Sequence, residues 1–407
     1  MFTGSFIEKK KINGLDTFLV NKNGFLENYI LLSIDFGGVD SNSIYHDKEC
    51  NRKIPYGTAH FLEHLIIQNN QFDALHRFGN IGSSINASTN FEYTSFVISC
   101  TEQLELNIQM ILKLVQSISI TNDMVEKEKK IIKQEILQSH SNKKAKCFTN
   151  LLSDLYGDES GVAQPIVGNL ASIDSMDSNI MEKCFKKFYS IENMKMIIIG
   201  DIIPEEIYTI IGNELTNTTL KEKNRYLPLL PVKRESINIE PINTNQSVLL
   251  FGNAIANESV TLSDTDIRKE FTIRIGLEIL FGRTSDFQQK INNHSLVDRD
   301  IELKYEISNR YSFSLLSAIT TKPCEFMEEI RLTKNNIQTR SIDDYEFLIS
   351  KRRIIGRIID VYDNPTKLAN SILHYSIRGI NFCNVINVIN KITKKEVIDA
   401  LYSHILI

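Results

Sequence analysis

Two histidines and a glutamate stand together at His60-Phe61-Leu62-Glu63-His64. On a helix, residues four apart face the same way, so both imidazoles can reach one metal ion. Glu63 sits three residues after the first histidine and one before the second. It can approach a water on that metal without having to ligate. Zinc suits this chemistry, because it lowers the pKa of a coordinated water to about 7 and a neighbouring carboxylate can take the proton. The order reverses the commoner His-Glu-x-x-His arrangement. The bland alternative is a pair of partly exposed helix histidines with no ligand.

A third ligand has candidates on the segment that begins at Met124. Glu128 and Glu135 are seven residues apart, two helical turns and nearly one face. Ile131 and Ile132, with Leu137 on a flank, are expected to anchor that helix to a core. Carboxylates beside a buried face need partners, and a metal with its histidine ligands would supply them. Read alone, the pair is a solvated face, because Lys127, Lys129 and Lys130 surround it. A purely structural zinc site usually closes with four protein ligands, often cysteines. Three candidates here leave a position open.

The elements that must hold these residues are legible in outline. Asp16–Val20 and Tyr29–Phe36 read as strands, punctuated by Gly24 and Gly37-Gly38. Ala59–Ile67 has an apolar face at helical spacing, and Phe72–Phe78 reads as a second short helix. Ser84–Ser99 reads as two strand pieces around Asn90. Leu104–Ser119 is a periodic helix with Leu106, Ile108, Ile111, Leu112 and Val115 among its apolar residues. Asn122 or Asp123 can cap the next helix, from Met124 to Ser139. Asn179–Tyr189 reads as a helix, Met194–Ile199 as a buried strand, and Pro204 opens a helix at its first turn. The second half continues in the same manner, with strands at Ser247–Phe251, Glu302–Ile307 and Phe313–Ile319. Helices follow at Ile267–Phe281 and Asp343–Tyr362. The expected fold is α+β: two similar domains, each a mainly antiparallel sheet packed against helices. The pattern loosens between them, around Pro228 and Pro231. The division is a metal-binding domain at 1–215, a linker at 216–233 and a second domain without metal at 234–407.

Composition excludes several classes. The 407 residues are 42% hydrophobic and 24% charged, with a net charge of -4, ample for packed cores. The basic clusters Lys9–Lys11 and Lys143–Lys146 are short, so no nucleic-acid partner is expected. No run of 18 apolar residues occurs, so no membrane span is expected. The first residues lack an apolar signal-peptide core. The six cysteines are scattered without a Cys-x-x-Cys pair, which points to free thiols in a reducing cytoplasm rather than a disulfide framework.

The sequence resembles the insulinase-like, or pitrilysin-type, zinc peptidases, which include the mitochondrial processing peptidases. The match begins at Gly57-Thr58-Ala59-His60-Phe61-Leu62-Glu63-His64 and continues through Asn86-Ala87-Ser88-Thr89, Glu92 and Thr94. Glu128, Gln134-Glu135-Ile136, Gly168, Phe188-Tyr189, Asn193-Met194 and Gly200-Asp201 follow in family order. Leu280-Phe281-Gly282-Arg283-Thr284-Ser285-Asp286-Phe287, then Ser295-Leu296, resembles the noncatalytic domain of the half-size bacterial members. The resemblance implies one zinc per chain, ligated by His60, His64 and Glu135, with Glu63 as general base. It implies that Glu128 supports a ligand from outside the coordination sphere. Asn86 and Ala87 would lie on the edge strand to which a peptide substrate adds; without the resemblance, Asn86 reads as a turn residue.

Three departures carry information. Many members have an Arg and a Tyr, seven residues apart, that bind substrate and stabilise the developing oxyanion. The aligned positions here are Ile291 and Asp298. Phe96 stands where relatives often have Tyr, and Ser139–Lys146 is polar and basic where they often carry Asp and Pro. The expected function is a zinc-dependent endopeptidase acting on peptides, through precursor or leader processing or through general peptide clearance. The expected partner is a homologous subunit that supplies the Arg/Tyr pair in a heterodimer, since a homodimer would hold two zinc sites and no such pair. The competing class is a non-catalytic assembly subunit of a peptidase complex.

Overall fold

The computed structural model describes residues 7–41, 44–46, 51–68, 73–139, 141–215, 232–233, 235–254, 264–298, 301–337 and 340–404. In chain order the first elements are β1 (Glu8–Ile12), β2 (Leu15–Asn21), β3 (Asn28–Ile34), β4 (Ile44–His46), β5 (Asn51–Lys53), α1 (Thr58–Ile67) and α2 (Ala74–Asn80). They are followed by β6 (Ser84–Thr89), β7 (Thr94–Cys100), α3 (Leu104–Gln116), α4 (Asn122–Ser139), α5 (Lys143–Tyr156), α6 (Leu170–Asp174), α7 (Ser178–Phe188), β8 (Met194–Gly200) and α8 (Pro204–Glu214). The rest comprises β9 (Glu235–Pro241), β10 (Ser247–Ala254), α9 (Asp264–Phe281), α10 (Asp286–Asn293), β11 (Glu302–Ile307), β12 (Ser312–Thr320), α11 (Pro323–Asn336), α12 (Asp344–Val361), α13 (Pro365–Ile377), α14 (Val385–Asn390) and α15 (Lys394–His404).

Two compact units result. The described residues of the first come from Met1–Gln138, Gln164–Tyr226 and Asn364–Ile377. Those of the second come from Ser139–Ala163, Leu227–Asp363 and Arg378–Ile407. Thus α13 joins the first sheet and α5 the second. Most of the expected linker, residues 216–231, lies outside the described residues.

The first unit is built on a six-stranded sheet in the order β1-β2-β8-β3-β7-β6. All its pairs are antiparallel except β2 with β8. The apolar run of β8 is buried along its whole length, as a central strand covered on both faces requires. Lys195 on that strand is buried too, with its Nζ 2.8 Å from the buried Asp35 carboxylate. By contrast β6 is the edge strand, and its residues alternate between exposed and half-buried. The core gathers Leu32, Phe61, Leu62, Phe96, Ile111 and Ile132 among others.

The second unit has a four-stranded antiparallel sheet in the order β11-β12-β10-β9. With β1 and the short β4–β5 hairpin set aside, the two units open on one element sequence. It is two strands, two helices, two more strands and two more helices. The two halves therefore repeat one order of elements. The fold is α+β with two similar sheet-and-helix domains.

Two expected packing details are corrected. On α4 the buried residues are Val125, Glu128, Ile132 and Ile136, spaced as one helical stripe. Ile131 and Leu137 are 39% and 58% exposed, so they do not anchor the helix. On α3, Ile108, Ile111, Leu112 and Val115 are buried as expected, but Leu106 faces out.

Candidate metal centre

The helix α1 starts from a tightly packed turn. Gly57 has φ +88° at its N-cap, and a Cβ there would stand 2.7 Å from the Val167 carbonyl oxygen. Only glycine meets both demands. Thr58 Oγ1 donates to the Pro55 carbonyl at 2.7 Å and ties down the same entry. The helix then buries Thr58 through Glu63, with Leu65 and Ile66. His60 and Glu63 are held in the protein interior and His64 lies half-buried at the edge of that environment.

The structure brings His60, His64 and Glu135 together. One potential ligand atom from each lies within 4.8 Å of the others. His60 Nε2 is 3.8 Å from Glu135 Oε1, and His64 Nε2 is 3.8 Å from Glu135 Oε2. These separations are too long for hydrogen bonds. They are close to the roughly 3.4 Å between ligands of a tetrahedral zinc ion. Two ring nitrogens and one carboxylate, with no fourth protein ligand among the described residues, form a donor set of the open zinc type.

The protonation of His60 fits the same use. Burial pushes the His60 pKa down to about 3, aided by the charge of His64. His60 is therefore neutral at ordinary pH, the form that ligates. For His64, burial opposes protonation. The hydrogen bond and charge of Glu128, with the charges of Glu63 and Glu135, outweigh it and raise the pKa. Glu128 Oε1 lies 2.7 Å from His64 Nδ1. That contact places the ring proton on Nδ1 and leaves the Nε2 lone pair directed at Glu135. Glu128 is almost fully buried in the apolar stripe of α4 and also accepts from Gln68 Nε2 at 3.5 Å.

Glu63 is close to the cluster without belonging to it. Burial raises its pKa, while the hydrogen bond from Thr89 and the charge of His64 pull it back. Thr89 Oγ1 donates to Glu63 Oε2 at 2.5 Å. Thr89 faces Thr94 across β6 and β7, with the two hydroxyls 3.2 Å apart, and Thr94 Oγ1 donates to the Phe36 carbonyl at 3.0 Å. Sequence reasoning quoted both threonines but assigned them no role. The signal was there: both flank the Asn90 turn on facing strands, where register pairs their side chains.

Asn86 and Ala87 lie on the edge strand β6. The Asn86 side chain accepts from the Ala87 amide at 2.9 Å, and β7 is the only strand paired with β6 among the described residues. Ile291 is fully buried in the second unit, and Asp298 Oδ2 accepts from Gln246 Nε2 at 2.9 Å. No helix among the described residues is long and apolar enough to cross a membrane.

Comparison with known proteins agrees with this geometry. The family model described as insulinase, peptidase family M16, matches residues 46–168, which include every residue of the cluster. The chain is 25% identical over 98% of its length, and 93% of the relative's, to a protein of Bacillus subtilis named as the uncharacterized zinc protease YmfH. A crystal structure of a putative M16-like peptidase from Alicyclobacillus acidocaldarius superposes with TM-score 0.86 and 25% identity, covering 98% of this chain and 95% of that one. The periplasmic protease PqqL of Escherichia coli shares the fold, with TM-score 0.73 and 14% identity. There, 99% of this chain matches 47% of a longer one. The His60–His64–Glu135 cluster and a full-length relative named as a zinc protease agree on zinc as the cofactor, and residues 46–168 of the chain are similar to the insulinase family of peptidases, family M16.

Proposed function

We propose that the chain is a zinc-dependent endopeptidase in which His60, His64 and Glu135 hold the metal and Glu63 is the general base. The observation that carries this reading is the position of Glu63: buried, anchored by Thr89 and beside a three-donor cluster with an open side. Bound zinc supplies a Lewis acid that polarises the scissile carbonyl and acidifies water. Glu63 accepts the proton of the attacking water and returns it to the leaving amine. Burial raises its proton affinity, which suits both halves of that task. Glu128 fixes the tautomer and orientation of His64. The free edge of β6, at Asn86 and Ala87, offers main-chain hydrogen bonds to an extended peptide.

The partner follows from the second unit. Ile291 and Asp298 cannot donate to an oxyanion as an Arg and Tyr would, and the chain matches about half of the longer PqqL. A homologous subunit supplies that pair in a heterodimer. The substrates are peptides, taken either as precursors that lose a leader or as fragments to be cleared.

Elemental analysis and turnover of a quenched peptide test this together. The chain should carry about one zinc, and His64→Ala should lose it. Glu63→Gln should keep the zinc and lose turnover. Addition of the homologous partner should raise activity at least tenfold. A well-folded chain that takes up no zinc would move the non-catalytic subunit to first place.

A further inference from the structure

The second unit contains a cavity of about 760 Å³ walled by α9, α12 and the edge strand β11. Four guanidinium groups line it, from Arg274, Arg283, Arg353 and Arg357, against the carboxylates of Glu278 and Asp360. Glu278 is almost fully buried. Its Oε1 takes Arg353 Nη1 at 3.0 Å and its Oε2 takes Arg357 Nη2 at 3.0 Å. Arg274 pairs with the buried Glu270 at 2.7 Å. With Glu270 included, the walls still carry an excess of positive charge.

A buried ion triad alone would account for Glu278 and its partners. Two further features point to a ligand. The Arg357 side chain is 59% exposed although its Nη2 lies 3.0 Å from Glu278 Oε2, so part of its five-donor fork is accessible to a ligand. Gly356, also on the wall, stands inside an 18-residue helix. Nothing lies within 4 Å of where its Cβ would be, and its φ is not positive. An interior helix glycine costs about 1 kcal/mol relative to alanine, and neither crowding nor backbone conformation requires it here. Its effect is to keep the wall between Arg353 and Arg357 bare.

The location sharpens the reading. In the shared element sequence, α9, β11 and α12 are the counterparts of α1, β6 and α4. The cavity is therefore walled by the counterparts, in chain order, of the elements that carry the metal cluster and Thr89. The chemistry is inverted: the helix equivalent to the one carrying Glu128 and Glu135 carries Arg353 and Arg357. Such a site repels a cation and takes an anion. Planar guanidinium forks match carboxylates, and the apolar Phe281 and Leu303 beside them suit the carbon skeleton around one.

We propose that this cavity is a second binding site, for a carboxylate carried by a peptide, either its C-terminus or an Asp or Glu side chain. The peptide part rests on the peptidase reading above; the carboxylate part rests on the cavity itself. The site gives the chain a preference for acidic peptides that is independent of the metal cluster.

Fluorescence anisotropy tests it on the full chain, with and without zinc, so that binding is read apart from turnover. The probes are a labelled peptide with a free C-terminus and one internal Glu, its C-terminal amide, and its Glu→Gln form. Arg357→Glu removes the exposed fork, and Gly356→Leu fills the wall while keeping every charge. Each should weaken binding of the acidic peptide at least tenfold with an unchanged circular dichroism spectrum. The probe that loses affinity for the unaltered chain identifies which carboxylate is held. Equal binding of all three probes by the unaltered chain, or a folded Gly356→Leu chain that binds as before, would overturn the proposal. Arg357-dependent binding by a folded chain that takes up no zinc when zinc is supplied, and shows no turnover with its partner present, would sink the peptidase reading and leave this site standing.

Discussion

Glu63 depends on a single hydroxyl for its orientation. Thr89 Oγ1 donates to one carboxylate oxygen and leaves the other without a competing hydrogen bond from that hydroxyl. Thr89→Val removes the donor at nearly constant volume. It should lower kcat at least tenfold with zinc content unchanged, and Thr89→Ser should restore most of the rate; steady-state kinetics with elemental analysis checks both. Glu128 acts through His64 rather than at the metal. Glu128→Gln keeps a side chain of the same shape but loses the charge that stabilises the ligand. Its zinc affinity should fall by about 10- to 100-fold, measured by competition with a chromophoric chelator. An unchanged affinity would remove Glu128 from the site.

At the scale of the element, α1 and α4 each need a feature that helix propensity does not supply. For α1 it is the Gly57 turn. Gly57→Ala meets both the positive φ and the Val167 carbonyl, and should destabilise the fold by about 1–3 kcal/mol, seen as a lower Tm. For α4 it is the position of the stripe. Ile132→Ala should cost about 2–4 kcal/mol, since Ile132 is fully buried. Ile131→Lys, one residue away, should stay within about 0.5 kcal/mol. Paired thermal melts decide between this stripe and one centred on Ile131.

Across the whole molecule, long-range ties set how stability responds to pH. In the second unit Arg268 on α9 grips Glu396 at the start of α15, through Nε at 2.5 Å and Nη2 at 3.0 Å. Above all that hydrogen bond, with those from Thr393, depresses the Glu396 pKa to about 2. A depressed carboxylate stabilises the fold above its unfolded pKa of about 4.3 and loses that contribution as pH falls through the folded value. The pair is partly exposed, so solvent screening limits it to about 1 kcal/mol. Glu396→Gln should therefore lower Tm at neutral pH. The difference should shrink between about pH 4 and pH 2. A gap that persists at pH 2 would assign the effect to packing instead.

Much of this was legible in the residues themselves. His60, Glu63 and His64 are close in sequence, and helical spacing alone puts the two histidines on one face. The strong period of α3 and the apolar run of β8 predict those elements, and the candidate capping residues Asn122 and Asp123 announce α4. Less regular segments were not read. The polar, basic start of α5 hides a helix whose buried Cys147, Leu151, Leu152 and Leu155 do follow a helical period. Also unread were α10, α11 and α13–α15, where short length or scattered polar residues weaken the repeat. Tertiary structure alone decided which face of α4 turns inward, because lysines and isoleucines alternate around it and only packing selects a stripe. It alone set Thr89 against Glu63 and gathered the arginines around Glu278. Those contacts join elements far apart in the chain, and no local spacing encodes a distance between residues that only the sheets bring together.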